Sequence, residues 1–361
     1  MALDWRGQLR KAARTLSDVE QTVRLTEQER RGLHWAEHGG MPVLIPPYVL
    51  SLIDTDDPQC PIRRQFIPRA EESQRVRGDL SDPLGEREHE VAPRLVHRYP
   101  DRALLLVTST CAVHCRYCTR ARLVGTEDGY WSLSELEPAF RWLEAHPQVR
   151  EVLISGGDPL VVSTRRLDAL LWRIRRISSI DVIRVGTRVP NVLPMRVDDE
   201  LVTMLRAHQP LWIMTHFNHP RELTALSCHA LAQLVDGGFP VMNQTVLLRG
   251  INDDDQVLAT LFRGLVRQRV RPYYLLHADV MEGTSHFRTS VARSLEIYSR
   301  LQGKVSGLAI PRLMVDTPGG KGKVPLGPAS VVSMESHKTV LRTFRGEEVV
   351  LIEPGQFEGH R

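Results

Sequence analysis

The stretch ALLLVTSTCAVHCRYC, residues 103–118, decides how this chain folds. The apolar run 103–108 predicts a buried strand. Cys111, Cys115 and Cys118 follow it directly, spaced C-x3-C-x2-C. Free cysteines are common as small core residues, but a cluster of three in the loop after a strand favours a metal site.

This cysteine triad (Cys111, Cys115 and Cys118) suits a [4Fe–4S] cluster. Protein thiolates hold such clusters, and three of them can bind three of the four irons. With no fourth cysteine nearby, one iron would stay open to an exogenous ligand, and an open metal position is what catalysis requires. Zinc is the alternative, with His114 as a further ligand, because Cys60 and Cys228 lie far away in the sequence.

From this stretch onward, short apolar runs alternate with longer amphipathic runs. The alternation is typical of repeated β-α units around a parallel sheet. Six units predict an α/β fold with a partial TIM-like (β/α)6 barrel, and a doubly wound open sheet is the alternative. The predicted strands cover 103–108, 151–155, 181–187, 210–216, 239–248 and 271–277, and the predicted helices cover 133–146, 165–177, 200–208, 223–235 and 255–268.

The regions outside the barrel are less regular. Helices are predicted around Asp4–Thr15 and Thr26–His38, whereas 45–93 has no sustained period and reads as a wrapping segment rather than a core. A last helix is expected around Val291–Gln302, and two strand-like runs at 338–344 and 347–354 end the chain. The predicted division is an N-terminal segment (1–100), the barrel (101–315) and a C-terminal segment (316–361) with short strands.

Composition excludes several classes of protein. The 361 residues carry 47 Lys and Arg against 43 Asp and Glu, a net charge of +4. Because basic and acidic residues are interspersed, we expect no nucleic-acid partner, although anionic small ligands fit this charge. Five cysteines, an odd number, do not make a disulfide framework. The polar N-terminus and the lack of long apolar runs predict no membrane contact and a cytoplasmic location, where thiols stay reduced.

Several long motifs, in order, resemble one enzyme family. They read HRYPDRALLLVTSTCAVHCRYCTRARLVG (97–125), VLISGGDPLVVS (152–163), THFNHP (215–220), NQTVLLRGIND (243–253), RPYYLLHADVMEGTSHFRT (271–289) and VDTPGGKGKVPLGP (315–328). Together they resemble lysine 2,3-aminomutase, a radical S-adenosylmethionine (SAM) enzyme that also uses pyridoxal 5′-phosphate (PLP). The resemblance runs from about Trp5 to Pro354. It implies a radical that takes a hydrogen from the β-carbon while PLP carries the amino group from C2 to C3.

The resemblance also implies which residues bind the cofactors. The cysteine triad would hold the cluster, with the aromatic Tyr117 before its last member, and Gly156, Gly157 and Asp158 would bind the amino group of SAM. Asp158 could instead cap a helix. Lys323 would carry PLP, although Lys321 occupies what is usually a glycine. The remaining cofactor contacts would be Arg98, Tyr99 and Arg102 at the PLP phosphate, Asn243 and Gln244 at a strand end, and His216.

Three further positions concern the substrate. By resemblance, Arg120 would grip the substrate carboxylate, for which a planar guanidinium is suited. Asp279 and Asp316 match two acids that hold the distal ammonium of lysine, and two carboxylates there predict a cationic side chain. Asp316 could instead cap the following turn. L-Lysine is therefore the favoured substrate. Arginine 2,3-aminomutase is an alternative, because two carboxylates also accept a guanidinium fork, and the lysine 2,3-aminomutase that modifies elongation factor P is another.

The chain departs from the family at its zinc site. Lysine aminomutases often bind zinc between subunits through C-terminal cysteines and one cysteine after the NQ strand. Here Asp254 stands at about that position, and the tail to Arg361 has no cysteine. We therefore expect no structural zinc and, in place of the family's tetramer, a monomer or homodimer. The cluster would also need a reducing protein of the flavodoxin or ferredoxin type.

Overall fold

The computed structural model describes residues 4–125, 129–327, 330–335, 338–343 and 345–352. Its main feature is a ten-stranded sheet in which each strand lies beside the next one in sequence. The seven strands β3 to β9 are parallel, and β1, β2 and β10 pair antiparallel at the two edges. The strands are β1 (Glu90–Ala92), β2 (Leu95–Tyr99), β3 (Arg102–Thr108), β4 (Glu151–Gly156), β5 (Val182–Gly186), β6 (Leu211–Thr215), β7 (Val241–Leu247), β8 (Arg271–His277), β9 (Arg312–Asp316) and β10 (Lys323–Pro325).

Helices connect the parallel strands, as the alternation of patterns predicts. They are amphipathic, and α11 buries Leu258, Leu261, Phe262 and Leu265, which are spaced as one helical face. Asp254 accepts from two amides at the start of that helix and so acts as its N-cap. The barrel helices are α6 (Leu133–Ala145), α7 (Thr164–Arg175), α8 (Val189–Val192), α9 (Asp199–Arg206), α10 (Ala225–Asp236), α11 (Asp255–Arg267) and α12 (Val291–Leu301).

Strand order decides between the two folds that the pattern allows. A doubly wound sheet reverses its strand order in the middle, whereas here the order is sequential from β1 to β10. Crossovers of one hand in a sequential sheet put all helices on one face, as in a barrel. The barrel-type prediction is confirmed. The backbone N–H of Lys323 in β10 donates to the hydroxyl of Tyr99 in β2 at 3.0 Å, which joins the two edges of the sheet.

The sheet has more strands than the six predicted ones. A seventh parallel strand, β9, ends at Asp316, and β10 turns back from it to carry Lys323. The antiparallel β2 precedes the barrel. β2 and β9 are short and mix apolar with charged residues, so their periodicity is weak, and they are ordered mainly by pairing with the neighbouring strand. β9 crosses the predicted boundary at residue 315.

The N-terminal segment, residues 4–89 of the described chain, packs on the barrel. Its helices are α1 (Trp5–Arg10), α2 (Leu16–Glu20), α3 (Glu27–Glu37), α4 (Pro47–Leu50) and α5 (Pro61–Phe66). The helix predicted for Asp4–Thr15 ends early, because Ala13 forms a β-bridge with Ile45. The expectation that 45–93 stays out of the core is wrong, since Ile45, Val49, Ile62, Phe66 and Ile67 belong to the main hydrophobic cluster. Val49, Ile62 and Phe66 lie in the helices α4 and α5, which are too short to show a period, and Ile45 and Ile67 lie outside helices.

The C-terminal segment forms a separate three-stranded antiparallel sheet. It contains β11 (Val331–Met334), β12 (Lys338–Arg342) and β13 (Glu348–Ile352). The last two strands confirm the predicted runs, of which residues 344, 353 and 354 lie outside the described residues. No helix in the described part of the chain is long and apolar enough to cross a membrane.

Candidate active site

A cavity of about 580 Å³ opens at the carboxyl ends of the parallel strands and extends into the barrel. Parallel strands end at one edge of a sheet, so the loops that follow them meet there. All but one of the predicted site residues line this cavity. They are Arg98, Tyr99, Arg102, Cys111, Cys115, Tyr117, Cys118, Arg120, Gly156, Gly157, Asp158, His216, Gln244, Asp279, Asp316 and Lys323.

Asn243 is the residue that the structure does not bring to the cavity. Its side chain is fully buried, and its amide bonds to both the N–H and the carbonyl of Phe217. Successive side chains of a strand point to opposite faces, so Asn243 and Gln244 cannot both face the cavity. Asn243 therefore ties β7 to the loop after β6, and Gln244 alone lines the site.

The cysteine triad lies at the mouth of the barrel. Burial raises the pKa of Cys111 well above its usual range, and burial together with Cys115 raises the pKa of Cys118 to about 11. The three sulfur atoms do not all lie within 4.8 Å of one another. One tetrahedral zinc ion would hold thiolate sulfurs about 3.8 Å apart, since a Zn–S bond is about 2.3 Å. The wider spread fits sulfurs bound to separate irons of a cluster.

The cysteine loop (residues 109–120) is held by the N-terminal segment. Arg116 donates to the carbonyls of Met41 and Pro42 and pairs with Glu72 at 2.5 to 3.1 Å. Nδ1 of His114 lies 2.9 Å from the Pro42 carbonyl. Burial lowers the pKa of His114 to about 4, so the ring is neutral and Nδ1 is the donor. His114 thus anchors the cysteine loop to the N-terminal segment through Nδ1.

Two glycines bring β4 against the cysteine loop. A Cβ on Gly157 would lie 2.1 Å from the carbonyl oxygen of Thr110, and one on Gly156, whose φ is +124°, would lie 2.3 Å from that of Thr108. The amide of Gly157 donates to the Thr108 carbonyl at 2.6 Å. Without side chains here, the backbone at Gly156 and Gly157 lines the cavity beside the triad. This is a cradle that a ligand with amino and carboxylate groups fits.

Asp158 is used by the protein itself. One of its oxygens accepts from the amide of Leu160 and from the hydroxyl of Thr187, and the other accepts from the amide of Arg188. Burial raises the pKa of this carboxyl, and these hydrogen bonds oppose that effect. Asp158 therefore caps the short helical turn that follows it, as the alternative expectation states. It also joins the ends of β4 and β5.

A second group of residues surrounds Lys323. Its ammonium pairs with Asp316, and Asp316 also accepts from Arg98 at 3.1 Å. The guanidinium carbon of Arg102 lies 3.9 Å from the centre of the Tyr99 ring. These five residues form the Lys323 cluster. Two guanidinium groups beside one lysine suit an anionic cofactor that is attached through an aldehyde, which is the donor set that PLP needs.

Asp279 faces this cluster without a partner of its own. Among the described side chains, none donates a hydrogen bond to its carboxylate. Burial and the neighbouring charge of Asp316 raise the pKa of Asp279 to about 7, while Lys323 and Arg98 act in the opposite direction. A buried carboxylate of this kind is stabilised by a cation that enters the cavity.

Arg120 lies between the triad and the Lys323 cluster. It donates to Ser155 and pairs with Glu86 at 2.7 Å. Burial opposes ionisation of Glu86, but Arg120 and Arg122 together outweigh burial and hold the pKa of Glu86 below its usual range. Glu86 orients the guanidinium toward the cavity, and the remaining donors are available to a carboxylate ligand.

The sequence did not single out five residues that complete the site: Gln65, Glu86, Arg188, Asn218 and Glu222. Beside these residues, the hydroxyl of Tyr117 lies 2.9 Å from Nε2 of His216. Burial and the charge of Arg188 lower the pKa of His216 well below its usual range, so its ring is neutral. These residues lie far apart in sequence, and Asn218 in the THFNHP motif carried the only local signal.

Comparisons with known proteins show which family this chain is similar to. Residues 298–360 match the family model described as Lysine-2,3-aminomutase, and residues 105–262 match the Radical SAM superfamily. The chain is 43% identical to L-lysine 2,3-aminomutase of Fusobacterium nucleatum over 354 residues, covering 98% of this chain and 83% of that protein. It is 43% identical to the Clostridium subterminale enzyme of that name (97% and 84% covered).

More distant proteins also match. Glutamate 2,3-aminomutase of Clostridioides difficile is 37% identical, with 96% of this chain and 82% of that protein covered. Among solved structures, a radical SAM methyltransferase from Sphaerobacter thermophilus is similar to 61% of this chain and 67% of its own, with 20% identity and a TM-score of 0.44.

Proposed function

This chain belongs to the lysine 2,3-aminomutase family of radical SAM enzymes, and we propose that its substrate is L-lysine, whose α-amino group it moves to the β-carbon. It is an isomerase that depends on a [4Fe–4S] cluster, SAM and PLP. The observation that carries the substrate proposal is Asp279, a buried carboxylate with no hydrogen-bond donor among the described side chains, beside Asp316 in the same cavity.

The division of labour in the cavity follows from the chemistry of the side chains. The cluster with SAM supplies a radical that takes a hydrogen atom, and PLP supplies the π-system that stabilises the migrating nitrogen. Cys111, Cys115 and Cys118 would hold three irons of the cluster and leave the fourth to SAM. Gly156 and Gly157 expose backbone groups to SAM, and His216, which is neutral, offers a hydrogen bond without adding charge.

The Lys323 cluster is the proposed PLP site. Lys323 is the point of attachment, while Arg98, Tyr99 and Arg102 form a pocket of two guanidinium groups and a hydroxyl for the phosphate. Arg120, held by Glu86, takes the substrate carboxylate in a bidentate fork. The substrate is thereby fixed at one end, which directs its other end toward Asp279.

The two carboxylates select the side chain of the substrate. An ammonium placed between Asp279 and Asp316 neutralises a charge that burial makes costly. A third carboxylate, as in glutamate, would add repulsion in the same place. A guanidinium also pairs with two carboxylates, but it is wider than an ammonium, so we propose arginine as the second candidate. The relative that modifies elongation factor P would use lysine as well, and the product's fate is independent of this site.

The test is anaerobic incubation of the reconstituted enzyme with SAM, a reductant and either lysine, arginine or glutamate. We expect the β-amino acid from lysine, with the highest kcat/KM of the three. Asp279→Asn should lower kcat/KM for lysine at least about 30-fold, because losing one partner of a buried charge pair costs about 2 kcal/mol or more. Exposed Asp56→Asn is the control and should change nothing. Preference for glutamate would contradict the proposal.

We also propose a setting for the enzyme in the cell. Five free cysteines suit the cytoplasm, and a cluster that must be reduced would need a flavodoxin- or ferredoxin-type protein as electron donor. We retain the expectation that the chain binds no structural zinc and forms a monomer or homodimer, because Asp254 serves as a helix cap at the position of the family's cysteine.

A further inference from the structure

Arg188 is a buried cation in contact with a sulfur of the cysteine triad. It follows β5 at the carboxyl edge of the sheet and is 7% exposed. Its Nη1 lies 2.7 Å from Sγ of Cys115. The same guanidinium group donates to the hydroxyl of Tyr117, the residue before the last cysteine. Its charge therefore lies directly against the position proposed for the cluster.

The surroundings hold Arg188 in place independently of Cys115. Its Nη2 donates to Oε1 of Gln65 at 2.6 Å and to Oε1 of Glu222 at 2.9 Å. Its plane lies over the ring of Phe66, with 4.7 Å from the guanidinium carbon to the ring centre. The backbone amide of Arg188 also donates to Asp158. Contacts from α5, from the loop after β6 and from the loop after β4 thus leave the guanidinium little freedom.

Glu222 balances this cation only in part. It is 1% exposed, and its carboxylate also accepts from Gln65 and from the amides of Asn218 and His219. The neighbouring cations of the cysteine loop are engaged elsewhere, Arg116 with Glu72 and Arg120 with Glu86. Arg188 and Glu222 therefore form a charged pair in which the positive end faces the sulfur and the negative end faces away.

We propose that Arg188 is a positioning residue that acts through Cys115 to raise the reduction potential of the cluster. Reduction transfers one electron from the reducing protein to the cluster, and part of the added negative charge falls on the thiolate sulfurs. A fixed N–H donor and a positive charge stabilise that state more than the oxidised one, and hydrogen bonds to sulfur are known to set cluster potentials. The inference rests on the proposed function, because it requires the cluster at the triad.

The test is a redox titration of the anaerobic holoenzyme, followed by the electron paramagnetic resonance of the reduced cluster. At the potential that half-reduces the wild type, Arg188→Gln should lower the ratio of reduced to oxidised cluster about tenfold, a shift of about 59 mV for a one-electron couple. Glu222→Gln removes the compensating charge and should shift the potential in the opposite direction. Arg188→Lys keeps the charge and should recover part of the loss.

Arg196→Gln is the matched control. Arg196 is as deeply buried, but it donates to the carbonyls of Leu160 and Val162 and not to a thiol. The reduction potential of the cluster in Arg196→Gln should equal that of the wild type. A potential that is the same in all variants, or that moves the same way in Arg188→Gln and Glu222→Gln, would overturn the inference. If Arg188→Gln assembles no cluster, Arg188→Lys and Glu222→Gln decide alone. A wild-type protein without a cluster would instead refute the proposed function.

Discussion

Two charged side chains of the cavity, Asp279 and Lys323, are placed to pair with a bound substrate or cofactor. Asp279 is partly buried beside Asp316, and Lys323 reaches Asp316 from β10. Each is costly to bury alone, and each becomes favourable when an opposite charge or a covalent partner arrives. Both residues can be tested without measuring turnover.

Asp279→Asn should stabilise the chain free of cofactors and substrate, increasingly so as the pH rises. The pKa of Asp279 is about 7 in the folded chain and about 3.8 in the unfolded chain, so burial of its charge costs stability as the pH rises through that window. The gain of the variant in unfolding free energy should grow by about 2 to 3 kcal/mol between pH 5 and pH 8. Urea denaturation at both pH values measures it. Equal gains at both would contradict the assignment.

Lys323→Ala should abolish covalent attachment of PLP. Its side chain is one-quarter exposed and lines the cavity, whereas Lys321, two residues earlier, is exposed to solvent. Borohydride reduction followed by peptide mapping should label Lys323 in the wild type and in Lys321→Ala, and nothing in Lys323→Ala. A label on Lys321 would move the attachment point to the lysine that departs from the family pattern.

At the scale of elements, the ends of strands position the cysteine loop. β3 leads into the loop, and β4 approaches it so closely that backbone touches backbone at Gly157. The loop has no regular structure, and its shape therefore depends on the strand ends and on the N-terminal segment. Small changes in the backbone distance should alter the positions of the three sulfurs.

Gly157→Ala should impair cluster assembly. The added Cβ would lie 2.1 Å from the carbonyl oxygen of Thr110. Because that oxygen belongs to the backbone, the whole loop must shift to make room. Iron content per chain after anaerobic reconstitution measures the effect, and we expect markedly less than the approximately four irons of the wild type. Gly307→Ala is the control, because its Cβ would meet no atom within 4 Å. Full iron content in Gly157→Ala would show that the loop tolerates displacement.

At the scale of the whole molecule, the N-terminal segment packs on the barrel and holds the cysteine loop through ion pairs. Two buried ion pairs belong to it, Arg63 with Glu29 inside the segment and Arg116 with Glu72 between segment and loop. A further pair, Arg288 with Asp79, attaches it to the region after β8. These contacts hold the segment against the loop that carries the triad.

Glu72→Gln should weaken this attachment. It leaves Arg116 buried without its counter-charge, which costs about 3 to 5 kcal/mol. Asp181→Asn breaks the exposed pair with Arg150 and should cost about 1 kcal/mol or less. Urea midpoints compare the two, and limited proteolysis should cut the N-terminal segment faster in Glu72→Gln alone. Similar midpoints for both variants would mean that the segment is held mainly by its apolar contacts.

Local patterns account for much of this fold. The strands and helices from residue 102 to 301 follow the hydrophobic periods, and the triad and the glycines follow a strand end, because such features depend on neighbours in sequence. Short helices of the N-terminal segment and the strands β2 and β9 escaped prediction, since they have too few residues to show a period. Asn243 was misplaced although strand alternation predicts that it faces away from Gln244.

The amino-acid sequence alone determined the order of most strands and helices, and it supplied the three cysteines, the lysine and the two acids on which the proposals for cluster, cofactor and substrate rest. Only the tertiary structure decided what surrounds those groups: Glu86 behind Arg120, Asp316 on Lys323, and the Arg188–Glu222 pair behind Cys115. The reason is that charge compensation in a buried site acts through space over a few ångströms, between residues that are tens of positions apart in the chain.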